Sequence, residues 1–405
     1  MALLVAIGLP RLARSVLPDP LPPLPPATIQ PRGKDGPQGM RVGTATLNAT
    51  AEAGAGYDSN LFAQGRRNAV GDAFRTEALR ARLDTDWRRD ALSLEATVTD
   101  IGYASRHANN TTDYSVAAAG RWDATRELAF AGSYRHLRGH LSVSDPSAQA
   151  LGVLLPVPFD TDEARASATW TVGGLTVKGE AAAASLRFGS AGGTSLASSN
   201  RDQAGIGVAA AYAFTPGNAV TLAASTDAIR QESRASRVYD GQAWQVVAGG
   251  SWTSDAVWRA RASLGYLYRS FEGGGIKPLQ GLAAEALLTW IPTRTTAVTL
   301  SARRGLDDLV RADPIPNIRN LVSLLLQHEA TRELTLTGEL RLERLELSQP
   351  RRRIEDAAAA IGLEWRFGRH LALLASYERS TRLGGYPGLP DFDRDFLSLR
   401  LRGGL

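Results

Sequence analysis

Five histidines, His107, His136, His140, His328 and His370, are the side chains best suited to proton transfer or metal binding. His136 and His140 lie four apart in an alternating run, so a strand would hold them on one face about 13 Å apart. One metal ion cannot bridge that gap, and the chain has no Cys to supply other soft ligands. No zinc or calcium spacing occurs. A serine nucleophile needs a His within hydrogen-bond reach, and no Gly-x-Ser-x-Gly context is present. The cluster Gly273-Gly-Gly275 falls in an expected surface loop, where it makes a poor phosphate cradle because no helix N-terminus follows. The residue types therefore predict no catalytic site, no metal and no cofactor.

Arginine carries more information. The chain has 46 Lys and Arg, yet Lys occurs only at Lys34, Lys178 and Lys277. A high-GC genome accounts for this; so does selection for bidentate binding of carboxylate, sulfate or phosphate. A net charge of +5 would also suit nucleic acid, but the charges alternate with acidic partners and form no basic stripe, so no nucleic acid is expected. The arginines that fall on the polar parity of alternating runs are Arg80, Arg82, Arg259, Arg261, Arg269, Arg303, Arg341, Arg366, Arg400 and Arg402. The acids of that parity are Asp84, Asp86, Glu95, Glu285, Glu339, Glu343, Glu364 and Glu378. Such a wall is either held together by cross-strand ion pairs or offers guanidinium steps to an anionic chain, each weak enough to release it.

The elements that would hold these groups repeat with a period of about 40 residues, the size of one long hairpin. Each repeat has an aromatic just before a short polar turn: Trp87, Trp122, Trp170, Phe214, Trp252, Trp290 and Trp365, with His328 at the same phase. Alternating runs follow, as in Leu334-Thr-Leu-Thr-Gly-Glu-Leu-Arg-Leu342. Aromatics at one height in every hairpin describe an interfacial girdle. The apolar parity must then face lipid, because an Arg at mid-membrane costs about 2–4 kcal/mol. No stretch approaches the 18 or more apolar residues of a membrane helix, and 43% hydrophobic against 21% charged residues fits strands that wet only one face with lipid.

About eighteen runs read as strands, with sixteen as the alternative. Tight turns alternate with long links throughout. The expected fold is an all-β, antiparallel transmembrane barrel with short periplasmic turns and longer extracellular loops. Its lumen is too wide for side chains alone to fill. The longest link, 141–160, carries the apolar stretch Leu151, Val153, Leu154, Leu155 and Phe159, which is unfavourable in water. It is expected to fold inward as a constriction; packing on the rim or on a partner is the alternative. The last run ends Leu397, Leu399, Leu401, Leu405 on one parity. It is similar to the C-terminal insertion signal of outer-membrane proteins, with Leu405 where an aromatic is usual. Three regions result: 1–15, a truncated signal segment (a short buried helix is the alternative); 16–40, a Pro-rich periplasmic linker of extended polyproline character; and 41–405, the barrel.

The run Gly56-Tyr57-Asp58-Ser59-Asn60-Leu61-Phe62 resembles a motif of outer-membrane porins called beta-barrel porin type 2, proteobacterial proteins that often accompany exopolysaccharide gene clusters. A purely physical reading gives Tyr57 to the girdle and Asp58-Ser59-Asn60 to an Asx-type turn. The resemblance implies an outer-membrane location in a Gram-negative bacterium and a conduit for exopolysaccharide export. A general diffusion porin and a structural or docking barrel are the alternatives. Expected partners are outer-membrane lipid and lipopolysaccharide, the barrel-insertion machinery, and periplasmic polysaccharide-synthesis proteins met through the Pro-rich arm.

Overall fold

The structure, a computed structural model, describes residues 39–85, 87–254, 257–273, 275–306, 317–348, 351–384 and 389–405. The expected signal segment and the linker up to residue 38 lie outside the described residues, as does Asp86. The short strand β1 (Met40–Val42) comes first, followed by β2 (Ala45–Asp58), β3 (Asp72–Thr85), β4 (Ala91–Tyr103), β5 (Thr111–Asp123), β6 (Leu128–Leu141), β7 (Val157–Val172) and β8 (Leu175–Phe188). A hairpin of β9 (Ser190–Ala191) and β10 (Thr194–Ser195) interrupts the series. It resumes with β11 (Arg201–Thr215), β12 (Asn218–Gln231), β13 (Gly241–Ser254), β14 (Trp258–Arg269), β15 (Leu279–Thr293) and β16 (Thr296–Leu306). The last are β17 (Asn317–Glu329), β18 (Leu334–Ser348), β19 (Arg351–Arg366), β20 (Leu371–Arg382) and β21 (Asp393–Gly404).

Every long strand pairs antiparallel with its neighbours in sequence, and β8 pairs with β11 past the hairpin. The circle closes where β2 takes β3 on one edge and β21 on the other, from Thr50↔Gly404 to Asp58↔Phe396. Setting β1, β9 and β10 aside, the wall is a closed antiparallel barrel of 18 strands. Closure leaves no unpaired edge, which is the condition for crossing lipid with strands. Among the described residues no helix is long and apolar enough to cross a membrane.

Alternation sorts the two faces. On β14, Leu264 is 59% exposed on the outer face, while Leu267, of the other parity, is fully buried. The outer parity of β21 is Leu397, Leu399 and Leu401; the inner is Ser398, Arg400 and Arg402. Trp87, Trp122, Trp170, Phe214, Trp252, Trp290 and Trp365 are all exposed, each beside a short turn. Trp122 stacks on Phe130 at 5.5 Å and Trp258 on Trp290 at 5.5 Å. The sequence repeat Ala-Thr-Arg-Glu-Leu also becomes a structural one. Thr125 Oγ1 accepts from the backbone N–H of Glu127 and Leu128, and Thr331 Oγ1 does the same for Glu333 and Leu334. The hydroxyl takes the place of a backbone acceptor in a tight turn.

This sorting has a measurable consequence. Leu340→Arg, on the outer face of β18, is expected to lower folding stability in lipid vesicles by about 2–4 kcal/mol. Thr337→Arg, on the inner face of the same strand, should be nearly neutral. Urea titration of both variants checks this; equal costs would mean that the faces are not lipid and water.

Candidate functional site

The inner parity builds a lumen whose charges are mostly matched across strands. Arg80 Nη2 lies 2.9 Å from Glu95 Oε2, and Arg82 Nε lies 2.7 Å from Asp84 Oδ2. Glu52, on β2, takes Arg400 at 3.0 Å and Arg402 at 2.7 Å. Arg402 also reaches Glu364 at 3.4 Å, which holds Arg366 at 3.0 Å. Arg341 stands 3.6 Å from Glu378 and 3.8 Å from Glu339, Arg319 2.6 Å from Glu343, and Arg261 2.5 Å from Glu285. Arg269 is buried with its guanidinium 5.3 Å above the Phe271 ring. Arg259 and Arg303 share the inner parity of β14 and β16 and have no ion-pair partner among the described residues. Glu52 and Glu95 thus stand among the guanidinium groups of β3 and β21, and Glu285 beside those of β14, farther round the wall.

Hydroxyls fill the spaces between the charges. Thr97 bonds Ser115 at 2.8 Å, Ser301 bonds Ser323 at 2.7 Å, and Ser376 bonds Ser398 at 2.7 Å. Most of the ion pairs are largely shielded, with 6% of the Arg400 side chain and 15% of the Glu52 side chain exposed, so desolvation offsets much of their attraction and their main effect is to give the wall a polar but largely neutral surface. Among the described residues no group of His, Cys, Asp or Glu is arranged to hold a metal ion.

The link between β6 and β7 folds onto the inner wall. The expected 141–160 link is shorter in the structure, because Leu141 and Val157 already pair in the ladder and Phe159 is an inner residue of β7. The loop contains the short helix α1 (Pro146–Ala150), started by Asp145, whose carboxylate accepts from the backbone of Ser147 and Ala148, and by Pro146 at the first position. This is the usual cap chemistry. Its apolar side rests on the inner face of the wall. Ala148, Val153 and Leu155 pack with Leu137, Leu141, Val157, Phe159, Leu186, Phe188, Ala191 and Leu196. Leu151 and Leu154 stay exposed. Of the expected constriction residues, then, Val153, Leu155 and Phe159 belong to the apolar pad, and Leu151 and Leu154 do not.

The polar side of the loop reaches β21 and β20, which are separated from β6 by β5, β4, β3 and β2. Arg382, on β20, donates to Gln149 Oε1 at 2.8 Å and to the Ser144 carbonyl at 3.4 Å, while two bonds hold it to Asp356. Arg394, on β21, donates to Ser144 Oγ at 3.3 Å. Gln149 Nε2 donates to the carbonyls of Phe62 and Ala63 at 2.9 and 3.2 Å. Ala63 is the one non-glycine among the described residues with positive φ, at 46°, a conformation costly enough to need such fixing.

The heptapeptide sits at this crossing. Asp58 is fully buried and takes two bonds from Arg394, at 2.9 and 2.5 Å. Its Oδ1 also accepts from the Asn60 N–H at 3.0 Å, the Asx turn. Ser59 N donates to the Asp395 carbonyl and Ser59 Oγ accepts from the Asp395 N–H. Asn60 Nδ2 reaches the Asp393 carbonyl at 2.9 Å. A Cβ on Gly56 would meet Leu397 O at 2.2 Å and Phe74 Cζ at 2.3 Å, and over this bare backbone Phe74 and Phe396 stack at 4.8 Å. Tyr57 faces outward, exposed. The motif is therefore a clasp between the first and last barrel strands, which also carries the far anchor of the loop. Sequence reasoning missed Arg382, Arg394 and Gln149 as parts of the site. Nothing in their local spacing separates them from other rim residues.

No curated protein matches the chain. Solved barrels similar to it include OpdL of Pseudomonas aeruginosa (13% identity, TM-score 0.46, covering 90% of this chain and 99% of that one). OccAB4 of Acinetobacter baumannii gives 10% identity and a TM-score of 0.49, covering 89% and 98%. The outer membrane protein opdK of Pseudomonas aeruginosa gives 12% and 0.48, covering 89% and 99%. The model of the family described as "Putative beta-barrel porin 2" matches residues 35–403, and the chain belongs to that family.

Proposed function

We propose that the barrel is a passive outer-membrane channel for small polar solutes, with the 142–156 loop setting the size limit. The observation that carries this reading is the loop's attachment at two separate places on the inner wall, the apolar pad on β6–β8 and Arg382 and Arg394 on β20 and β21, so that it spans the sector between them. A largely neutral wall of ion pairs and hydroxyls supports it, because conduction needs contacts weak enough to leave. Nothing in this mechanism consumes a nucleotide, and the chemistry is that of a pore rather than of an enzyme. Lipid and lipopolysaccharide would meet the exposed leucine face, and the insertion machinery would read β21.

The test is liposome swelling with sugars of increasing size, together with conductance in planar bilayers. The expected result is steady conductance, entry of small sugars and exclusion of oligosaccharides. A barrel that stays closed until polysaccharide is added would overturn it. Export of an exopolysaccharide is the second reading. It draws on the inner arginines and on the company the family keeps. The engagement of most of those arginines by carboxylates weakens an anionic track, so acidic polysaccharide should not block the intact channel's current.

A further inference from the structure

The ion pairing of the lumen is uneven. Around most of the wall each inner cation stands beside a carboxylate, and even Arg135, which makes no ion pair, faces Glu163 in register. On β14–β16 the balance differs. Arg259 and Arg261 project from β14 and Arg303 from β16, and the strand between them offers one inner carboxylate, Glu285. Glu285 is directly opposite Arg303 in register but is held by Arg261 at 2.5 Å. Arg259 lies opposite Thr289, whose hydroxyl bonds Thr299 at 3.2 Å. Arg303 is exposed and Arg259 half-exposed, and neither has a hydrogen bond or ion pair among the described residues. The adjoining inner wall of β11–β13 carries Gly207, Ala223 and Val247, and its one inner carboxylate, Asp227, is buried and accepts from Gln203 at 2.7 Å.

We propose that Arg259 and Arg303 are the anion-selecting groups of the channel, a two-step subsite for small oxyanions such as carboxylates and phosphates. The inference rests on the channel reading above. Arg259, next to Trp258, which stacks on the girdle residue Trp290, stands at the girdle end of the lumen. Arg303 stands about 13 Å farther along the strand direction, from the four-residue offset of their partners on β15. A guanidinium offers two parallel N–H donors to an oxyanion. Two such groups left unneutralised beside a low-dielectric wall raise the local anion concentration. Spacing them apart lets an anion step from one to the other without being trapped at either. The hydroxyl pairs Thr289–Thr299 and Ser301–Ser323 supply polar surface beside the path.

The test is the reversal potential of the full-length protein in planar bilayers under a KCl gradient, followed by titration of inorganic phosphate against the chloride current. The intact channel is expected to prefer chloride over potassium. Arg259→Gln with Arg303→Gln should cut that preference by at least half and weaken phosphate block several-fold, and Arg303→Glu alone should reverse the preference. Arg80→Gln with Glu95→Gln, which removes a neutral pair, should change neither. Heat-modified gel mobility shows that each variant is folded. Folded protein that never conducts would sink the channel reading itself. A conducting barrel that is unselective or prefers cations, or whose selectivity survives both arginine variants, would overturn this inference alone.

Discussion

Deletion of residues 144–154 raises single-channel conductance several-fold in planar bilayers, because it removes α1 and the crossing that Gln149 and Ser144 make to Arg382 and Arg394. The pad beneath the loop loses its cover in such a variant, so some loss of stability accompanies the gain. Gln149→Ala with Ser144→Ala separates the two effects. The pad stays covered, yet the side-chain bonds of the far anchor are lost, leaving Arg394 on Asp58 and Arg382 on Asp356 with only its 3.4 Å bond to the main-chain carbonyl at position 144. The loop then moves away from β20 and β21, and the expected readout is a larger and noisier open-channel current. An unchanged conductance in the deletion would show that the loop lies clear of the path, and the size limit would need another origin.

The largest single-residue effect on stability belongs to Asp58→Ala. Asp58 is fully buried and its partner nearly so, with 12% of the Arg394 side chain exposed. Removing one member of a buried pair leaves an uncompensated charge, at a cost of about 3–5 kcal/mol. The second change, Arg394→Leu in the Asp58→Ala background, should recover part of that loss, since a buried pair can often be replaced by packed apolar groups. Urea unfolding in detergent gives both values. A loss below about 1 kcal/mol for Asp58→Ala, the scale of an exposed pair, would show that the clasp is not shielded from water.

What the sequence made legible follows from how far apart the cooperating residues are. Strand faces, the girdle and the number of strands depend on neighbours one or two positions away, so Leu79 against Arg80 or Trp252 beside its turn could be read directly. The inner placement of Arg80, Arg341 and Arg400 came from the same parity. Which of these arginines are neutralised was not legible, because Glu52 meets Arg400 only through the closure of the barrel. The destination of the loop was hidden for the same reason. Its apolar residues signalled burial, but Phe159 turned out to be strand and Leu151 stayed exposed, since the pad formed by Leu137, Leu186 and Phe188 exists only when β6, β7 and β8 are side by side. The clasp is the extreme case: Asp58 and Arg394 are 336 residues apart, and only a family resemblance in the heptapeptide hinted that its polar residues do more than turn the chain.

That clasp bears on how the barrel avoids misassembly. A one-residue slip of β21 against β2 would turn Leu397, Leu399 and Leu401 into the lumen, and lipid would reject it at once. A two-residue slip is harder to detect, because every side chain keeps its face. It would nevertheless move Arg394 about 7 Å along the strand from Asp58, separate Phe396 from Phe74, and strand the Asn60 amide away from the Asp393 carbonyl. The hydrophobic pattern is blind to that error, whereas a buried carboxylate without its guanidinium is not. The first strand of the barrel thus proofreads the alignment of the last, and the pairing that seals the wall is the one most strictly checked.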